Sequence, residues 1–405
     1  MLYSVIYFLF IILIIYAAFS AAYLLLLAIA GRFFYKSKLT NATVNKRIAI
    51  LVPAYKEDNI ILSTAHHLLQ LDYPADLFRI YIIADSFQPE TLAQLRQLPL
   101  TVLEVSFEKS TKSKALHDAF QRITDPYDIA LICDADNILA KNVLKKIDAC
   151  FSATVKAIQA RRVAKNLDTP FAVLDACSEA INNHLFRKGA NGLGLSSSVI
   201  GSGMAFDYNL IKKVFAEINA MGGTVTHEDK ILQLRVVQLG FKFRYLEEAL
   251  VFDEKVDSPA VFKQQRKRWV SGQFIYLKKY FIPACKELFN GNLSYFVLAV
   301  VNNLILPRVF FLAFLPPLSI AGFFIDPVWG FAGIGLFVIY IITLLISIPP
   351  ELFNKNLLQA VLKIPKAVSV MFGTLRHAKK ANETFIHTVK TKTEVSNTLF
   401  NEQGK

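Results

Sequence analysis

The chain has 405 residues, 54% of them apolar, with 45 lysines and arginines against 32 acids, a net charge of +13. That apolar share exceeds the roughly 45–50% of soluble domains, and its excess gathers in residues 3–30 and beyond residue 294, which excludes a purely soluble protein. The positive charge is dispersed, without an arginine-rich arm or an aromatic-basic recognition motif, so it fits anionic headgroups and phosphorylated substrates rather than nucleic acid.

Taken in order, Tyr3–Ala30 carries no charge and is longer than the roughly 20 residues that cross a bilayer. With no basic stretch before it and no convincing cleavage pattern, it reads as a retained anchor, residues 1–31. Arg32, Lys36, Lys38, Lys46 and Arg47 follow it at once, which puts the N-terminus outside and the central domain in the cytoplasm of a cell (inner) membrane. The four cysteines lack any Cys-x-x-Cys spacing and are expected to be reduced.

Residues 32–290 read as one domain ending in an interfacial helix. Apolar runs at Ile48–Val52, Ile80–Ala84, Val102–Val105 and Ile129–Cys133 alternate with helical stretches near Asn59–Leu71, Glu90–Leu98 and Lys112–Ile123. This order predicts an α/β fold with a mostly parallel sheet and helices on both faces. Ligands of such sheets bind beyond the carboxyl ends of the strands, where Glu57, Asp58, Asp85, Asp134 and Asp136 stand. A helix is expected over Pro170–Arg187, a Gly/Ser-rich loop over Gly189–Gly203, a helix from Glu228 and a long amphipathic one over Pro259–Leu288.

Residues 291–350 supply two further spans, Phe296–Phe324 and Val328–Ile348, turning at Asp326-Pro327, for about three in all. Asn302, Asn303, Pro307 and Arg308 interrupt the first, so the piece before Arg308 reads as interfacial. In the cytosolic part, residues 351–405, a basic amphipathic helix over 356–376 precedes a tail whose last fifteen residues look disordered.

Three clusters carry chemistry. Asp134 and Asp136 follow an apolar strand at i and i+2, a spacing that in an extended chain presents both carboxylates to one cation. Magnesium or manganese suits them better than zinc, since no histidine or cysteine pairing accompanies them; the alternative is a solvated turn capping the next helix. His227-Glu228-Asp229 opens a helix and offers either a general base or a cap that favours the dipole. Gln265-Arg266-Lys267-Arg268-Trp269 combines a guanidinium suited to phosphate with an indole that stacks on a ring, or else marks a surface helix at headgroup level.

The series Val52-Pro53-Ala54-Tyr55-Lys56-Glu57, Asp85, Lys114, Asp134-x-Asp136, Glu228-Asp229 and Gln265-x-x-Arg268-Trp269, over roughly residues 47–275, resembles family 2 glycosyltransferases. Within them it looks like the membrane synthases of cellulose, chitin, hyaluronan and poly-N-acetylglucosamine. The resemblance implies a GT-A fold and an inverting hexosyl- or N-acetylhexosaminyl-transferase that uses a UDP-sugar and Mg2+ or Mn2+. It places Pro53, Tyr55, Glu57, Asp85, Lys114, Asp134 and Arg268 at the donor, Asp134 and Asp136 at the metal, and Asp229, with Glu228 beside it, at the chemistry; the other reading of Lys114 is an exposed helix lysine. Gln265, Trp269 and Gly203 would face the acceptor, although a tight turn without a role is the other reading of Gly201-Ser202-Gly203. Phe385–Lys390 resembles a tail motif of some relatives.

Two features depart from the pattern: His227 stands where threonine is usual, and three crossings are few for a pore through one chain. Extrusion would then require a homo-oligomer or an export partner. The leading expectation is a transferase extending a polysaccharide or oligosaccharide at the cytoplasmic membrane face. The others are single addition to a lipid-linked acceptor, and a non-enzymatic transporter or scaffold.

Overall fold

The computed structural model describes residues 2–37, 39, 45–220, 228–255, 259–353, 355–362, 365, 392–397 and 399–402. Its centre is an eight-stranded sheet in the order β3-β2-β1-β4-β7-β6-β8-β5. The strands are β1 (Ile48–Tyr55), β2 (Phe78–Asp85), β3 (Thr101–Val105), β4 (Ile129–Ile132), β5 (Ile138–Leu139), β6 (Ala157–Ala164), β7 (Met204–Asp207) and β8 (Phe243–Asp253). β3-β2-β1-β4 pair in parallel, as the alternation of apolar runs and helices predicts. β7 enters antiparallel between β4 and β6, β6 and β8 are again parallel, and β5 closes the far edge antiparallel to β8.

Strands covered on both faces become continuous apolar runs, and β1 and β4 are buried along nearly their whole length. Alternate side chains divide between two cores. Ala49, Leu51, Ile83 and Ile132 pack with α4 (Lys112–Arg122), while Ile50, Val52, Ile82 and Leu131 pack with α2 (Asp58–Leu68). Two further helices, α3 (Pro89–Leu95) and α5 (Val143–Cys150), complete the second layer. Thr111 caps α4 by accepting from the Lys114 amide, which fixes where that helix begins.

The expected helix from Pro170 is α6 (Pro170–Asn182), continued by a π-helical stretch (Asn183–Gly189) and α7 (Ala190–Gly192). After α8 (Tyr208–Ala220) and α9 (Glu228–Gln238) comes α10 (Pro259–Phe289), and then α11 (Leu293–Phe296), a π-helical turn and α12 (Asn302–Leu304). The chain breaks at Pro307, so the long apolar stretch divides as Asn302–Arg308 indicates: only Arg308–Ile325 (α13) has the length and apolarity to cross a membrane. Among the described residues two more helices meet that standard, α1 (Leu2–Phe33) over Tyr3–Phe33 and α14 (Pro327–Ser347).

These three pack together through Phe10, Ala17, Leu24, Phe311, Leu315 and Tyr340. The C-terminal end of α1 also meets the domain. A β-carbon on Gly189 would collide with the Leu27 carbonyl, and one on Gly192 with the Ala30 carbonyl. Of the amphipathic helix expected over 356–376, the helix α15 (Lys355–Val361) is described, and most of the remainder lies outside the described residues.

The tail departs from the disorder expected of it. Ser396 donates from its amide to the Lys165 carbonyl, and Val395, Leu399 and Phe400 pack against Ile138, Val163, Leu250 and Phe252. Apolar side chains spaced along a polar tail thus cover an apolar cluster drawn from β5, β6 and β8.

Candidate active site

Strand order reverses between β1 and β4, and their carboxyl ends form the crevice where ligands of open α/β sheets bind. Just past β1 and β2 the chain turns through left-handed residues that are not glycine, Lys56 at φ 54° and Ser86 at φ 60°. Such conformations cost about 1–3 kcal/mol and gather at functional sites. Here the Lys56 amide donates to the Asp85 carbonyl (3.1 Å) and the Ser86 hydroxyl to Asp85 Oδ1 (2.9 Å). Asp85 is thereby held buried at the rim, in register with Tyr55. Pro53, Tyr55 and Glu57 line the same edge half-buried.

Beyond β4 the Asp134–Asn137 segment is a turn, closed by the Asn137 amide on the Asp134 carbonyl (3.1 Å), and not the extended run that the i, i+2 argument assumed. The two carboxylates therefore sit at different depths: the Asp134 side chain is 37% exposed and Asp136 only 6%. Several neighbours fix the turn. The Asp134 amide donates to Ser202 Oγ (2.9 Å), the Thr64 hydroxyl to the Ala135 carbonyl (2.6 Å) and the Lys165 ammonium to the Asp136 carbonyl. Asn137 Nδ2 reaches both Asp136 Oδ1 (3.3 Å) and Asp253 Oδ1 (3.4 Å).

Among the described residues, no group of three or more His, Cys, Asp or Glu side chains is gathered to hold a metal. Two oxygen donors at a half-open turn fit magnesium or manganese, which take one or two carboxylates and complete their shells with water and substrate phosphate. Cys133, next to the turn, is buried and its thiol is pushed up to about 12 by desolvation, so it offers no thiolate. Cys133, Cys150 and Cys177 are buried and Cys285 is partly exposed, and none is bonded to another.

Opposite the turn stands Gly201-Ser202-Gly203. Both glycines are left-handed (φ +82° and +63°), and a β-carbon on Gly203 would lie 2.9 Å from Val251 Cγ2. Only glycine meets both demands. Buried Gln159 clamps this segment, donating to the Ser202 carbonyl (2.9 Å) and accepting from the Ile200 amide (3.0 Å). Lys112 Nζ bridges the two sides, paired with Asp134 Oδ1 and donating to the Gly201 carbonyl (2.6 Å). The lysine singled out in the sequence, Lys114, instead turns outward and donates to the Lys109 carbonyl (3.0 Å).

Glu228 and Asp229 form the first turn of α9. Glu228 Oε2 accepts the Ser113 amide (2.6 Å) at the start of α4. Burial raises the Glu228 carboxyl to about 7, against the lowering effects of Thr111, that amide and Lys112. Asp229 lies against Gly201, where a β-carbon would be 3.7 Å from its Oδ2. Next to it, Lys230 donates to Asn303 Oδ1 (3.2 Å) and sits over the Tyr276 ring, and burial pulls its pKa down.

Trp269 is half-buried on α10. The side chains of Gln265 and Arg268, all of His227, and Phe385–Lys390 lie outside the described residues. Lys112, Gln159, Asn137 and Lys165 escaped the sequence reading, and Ser202 entered it only as part of the Gly201-Ser202-Gly203 turn. Asn137 stands directly after the two aspartates, whereas a buried lysine just past a strand end gives no local signal.

Residues 46–272, more than half of the chain, match the family described as glycosyltransferase like family 2. The chain belongs to that family. The family 2 match does not select the narrower group of polysaccharide synthases. One relative is a probable glycosyltransferase of Bacillus subtilis (strain 168), YdaM, 24% identical, with 57% of this chain and 56% of the relative covered. Another is a beta-monoglucosyldiacylglycerol synthase of Synechocystis sp., 25% identical over 56% of this chain and 48% of the relative. The matched part of the chain thus spans about half the length of these curated relatives. Among solved structures, the mannosyltransferase PcManGT from Pyrobaculum calidifontis, in complex with GDP-Man and Mn2+, superposes with a TM-score of 0.51 at 17% identity. That superposition covers 88% of this chain and 99% of the other and supports the GT-A fold expected for family 2.

Proposed function

We propose that this family 2 glycosyltransferase moves a sugar from a nucleoside diphosphate sugar, with UDP as the carrier, onto a hydroxyl acceptor at the cytoplasmic face of a membrane. The anomeric centre is inverted. Residues 32–290 form the catalytic unit, residues 1–31 and 291–350 anchor it, and residues 351–405 return to the cytoplasmic side. The observation that carries this reading is the meeting of Asp134 and Asp229 around Gly201, joined by Lys112.

Asp85, Tyr55, Pro53 and Glu57 border the nucleoside, and Asp134 and Asp136 would hold the cation. When bound, a divalent ion neutralises the leaving diphosphate. Lys112 adds a positive charge on the same side and is able to shift from Asp134 to a phosphate oxygen. Asp229 Oδ accepts the proton of the acceptor hydroxyl as its oxygen forms the bond to the anomeric carbon. The bond from that carbon to the diphosphate breaks, and the electron pair leaves with the nucleoside diphosphate. Glu228, held by the Ser113 amide, fixes the first turn of α9 and with it the direction of Asp229.

A screen of UDP-sugars with the membrane-embedded protein tests the proposal, with Asp229→Asn as blank. Loss of a general base typically costs about 10²–10⁴ in rate, so the variant should lose transfer and keep nucleotide binding. Chelation should silence the wild type, and Mn2+ or Mg2+ should restore it. Undiminished turnover by Asp229→Asn would remove the base. A ladder of products from one donor marks polymer extension, the leading expectation, and one added sugar marks the glycolipid reading.

A further inference from the structure

Asn137 is 1% exposed and uses the whole hydrogen-bonding capacity of its side chain. Its Oδ1 accepts from the Ser202 hydroxyl and from the Asp134 amide (3.3 Å). Its Nδ2 donates to Asp136 Oδ1 (3.3 Å) and to Asp253 Oδ1 (3.4 Å). Two bonds accepted and two donated exhaust a carboxamide. One side chain thus gathers both residues of the proposed cation site, the glycine turn that faces Asp229, and the end of β8.

The direction of that amide is dictated by its neighbours. A carboxylate only accepts, so the NH2 group faces Asp136 and Asp253 while Oδ1 faces Ser202 and the Asp134 amide. Turned over, Oδ1 would meet two carboxylate oxygens and the NH2 group would meet an N–H.

Asp253 belongs to a buried ionic quartet. Lys255 Nζ lies 2.8 Å from Asp253 Oδ2, and Arg162 Nε lies 3.6 Å from the same oxygen. Both cations also pair with Glu179 of α6, Arg162 at 2.9 Å. Burial would raise the Glu179 carboxyl, yet these two cations hold it below its ordinary value. Asn166 fixes the backbone here, accepting from the Lys255 amide (2.7 Å) and donating to the Lys255 carbonyl (3.2 Å). Buried ion clusters often add no stability over apolar packing of similar volume. Groups bonded to ligating carboxylates, by contrast, orient them.

We propose that Asp253 is a positioning residue for cation binding. Anchored by Lys255 and Arg162, it fixes the Asn137 amide, which aims the Asp136 carboxylate and closes the turn at Asp134. In this role it acts through Asn137, not as a ligand. The proposal rests on the reading of Asp136 as a cation ligand and adds the group that orients it.

The test measures Mn2+ binding to the full chain in phosphatidylcholine vesicles, by loss of the free-ion spin-resonance signal, with UDP present and no acceptor. Asp253→Asn keeps the shape but turns its oxygen to Lys255 and Arg162 and its NH2 group to Asn137, so the Asn137 amide must turn over. The Mn2+ dissociation constant should rise about 10–100-fold, the range for partners of metal ligands. Asn137→Ala should bring a comparable rise. Adding Asp253→Asn to it should then change the constant little, because residues of one network are non-additive. If Asp253→Asn fails to fold, Asp253→Asn combined with Lys255→Met leaves the Arg162–Glu179 pair charge-balanced and should give the same rise.

A lower Tm with an unchanged Mn2+ constant, in whichever Asp253 variant folds, would confine Asp253 to packing and overturn the inference. Fully additive losses in the Asn137 and Asp253 double variant would overturn the relay. The cation reading of Asp136 fails separately, by an absence of Mn2+ binding in the wild type, and takes this inference with it.

Discussion

Asp229 and Asp134 approach one glycine from two sides: a β-carbon at Gly201 would stand 3.7 Å from Asp229 Oδ2, and the Gly201 carbonyl binds the lysine that pairs with Asp134. Residues nearly a hundred positions apart share this hinge point, so its backbone must hold a conformation that other residues resist. Gly201→Ala meets enough space, but φ +82° should cost about 1–2 kcal/mol. Thermal unfolding should register the loss as a lower Tm, with transfer reduced further than nucleotide binding. An alanine variant as stable as the wild type would mean that the turn tolerates another backbone shape.

Two lysines separated by one residue should behave differently. Lys112→Met removes a charge that competes with a cation at Asp134 and that assists the diphosphate. Calorimetry should then find Mn2+ alone bound more tightly and the nucleoside diphosphate more weakly. Charged hydrogen bonds contribute about 1.5–3 kcal/mol, a loss of roughly ten- to a hundredfold in nucleotide affinity. Lys114→Met, at a surface carbonyl contact, should leave both constants unchanged. Equal effects from the two would break the assignment.

Glu228 supplies a pH signature. Its carboxyl titrates at about 7 when folded, against an ordinary 4.5, because burial penalises the charge. A raised pKa contributes stability that is complete below the unfolded value and is lost as pH rises through the folded one. Relative to Glu228→Gln, the wild type should therefore lose Tm progressively between about pH 4.5 and 7 and level off above. Parallel curves for the two proteins across that window would rule out Glu228 as the source.

Lys165 is 1% exposed and joins the Asp136 carbonyl to the Lys392 carbonyl (2.9 Å), tying the tail to the Asp134–Asn137 turn. Lys165→Met should leave two acceptors without a charged donor, at about 1–3 kcal/mol each. Nucleotide binding in the presence of Mn2+ should weaken along with stability, since the Asp134–Asn137 turn loses its rear support. A destabilised variant with unchanged nucleotide affinity would confine Lys165 to a packing role.

Much of the parallel half of the sheet was legible because strands buried on both faces spell themselves as apolar runs: Ile48–Val52 and Ile129–Cys133 are unmistakable. The antiparallel half was not. β6 carries Gln159, Arg161 and Arg162, and β7 is four residues long between glycines and a helix, so neither shows a period. The candidate site divides likewise. Carboxylates at strand ends announce themselves, whereas Lys112 was chosen over Lys114 by helix phase, and Gln159 by long-range closure that no local pattern encodes. The bend at Asp134–Asn137 was misjudged because Ser202, far along the chain, decides it.

The contact of Gly189 and Gly192 with the last turns of α1 has a further consequence for how this enzyme meets its acceptor. A backbone wedged against carbonyls without intervening side chains leaves no slack between α1 and the central domain. In the proposed setting the reaction centre stands at a constant height over the lipid surface and cannot swing out to distant molecules. A lipid-linked acceptor would then arrive by lateral diffusion while the donor comes from water, and grafting the domain onto a foreign anchor through a flexible tether would uncouple it from that acceptor.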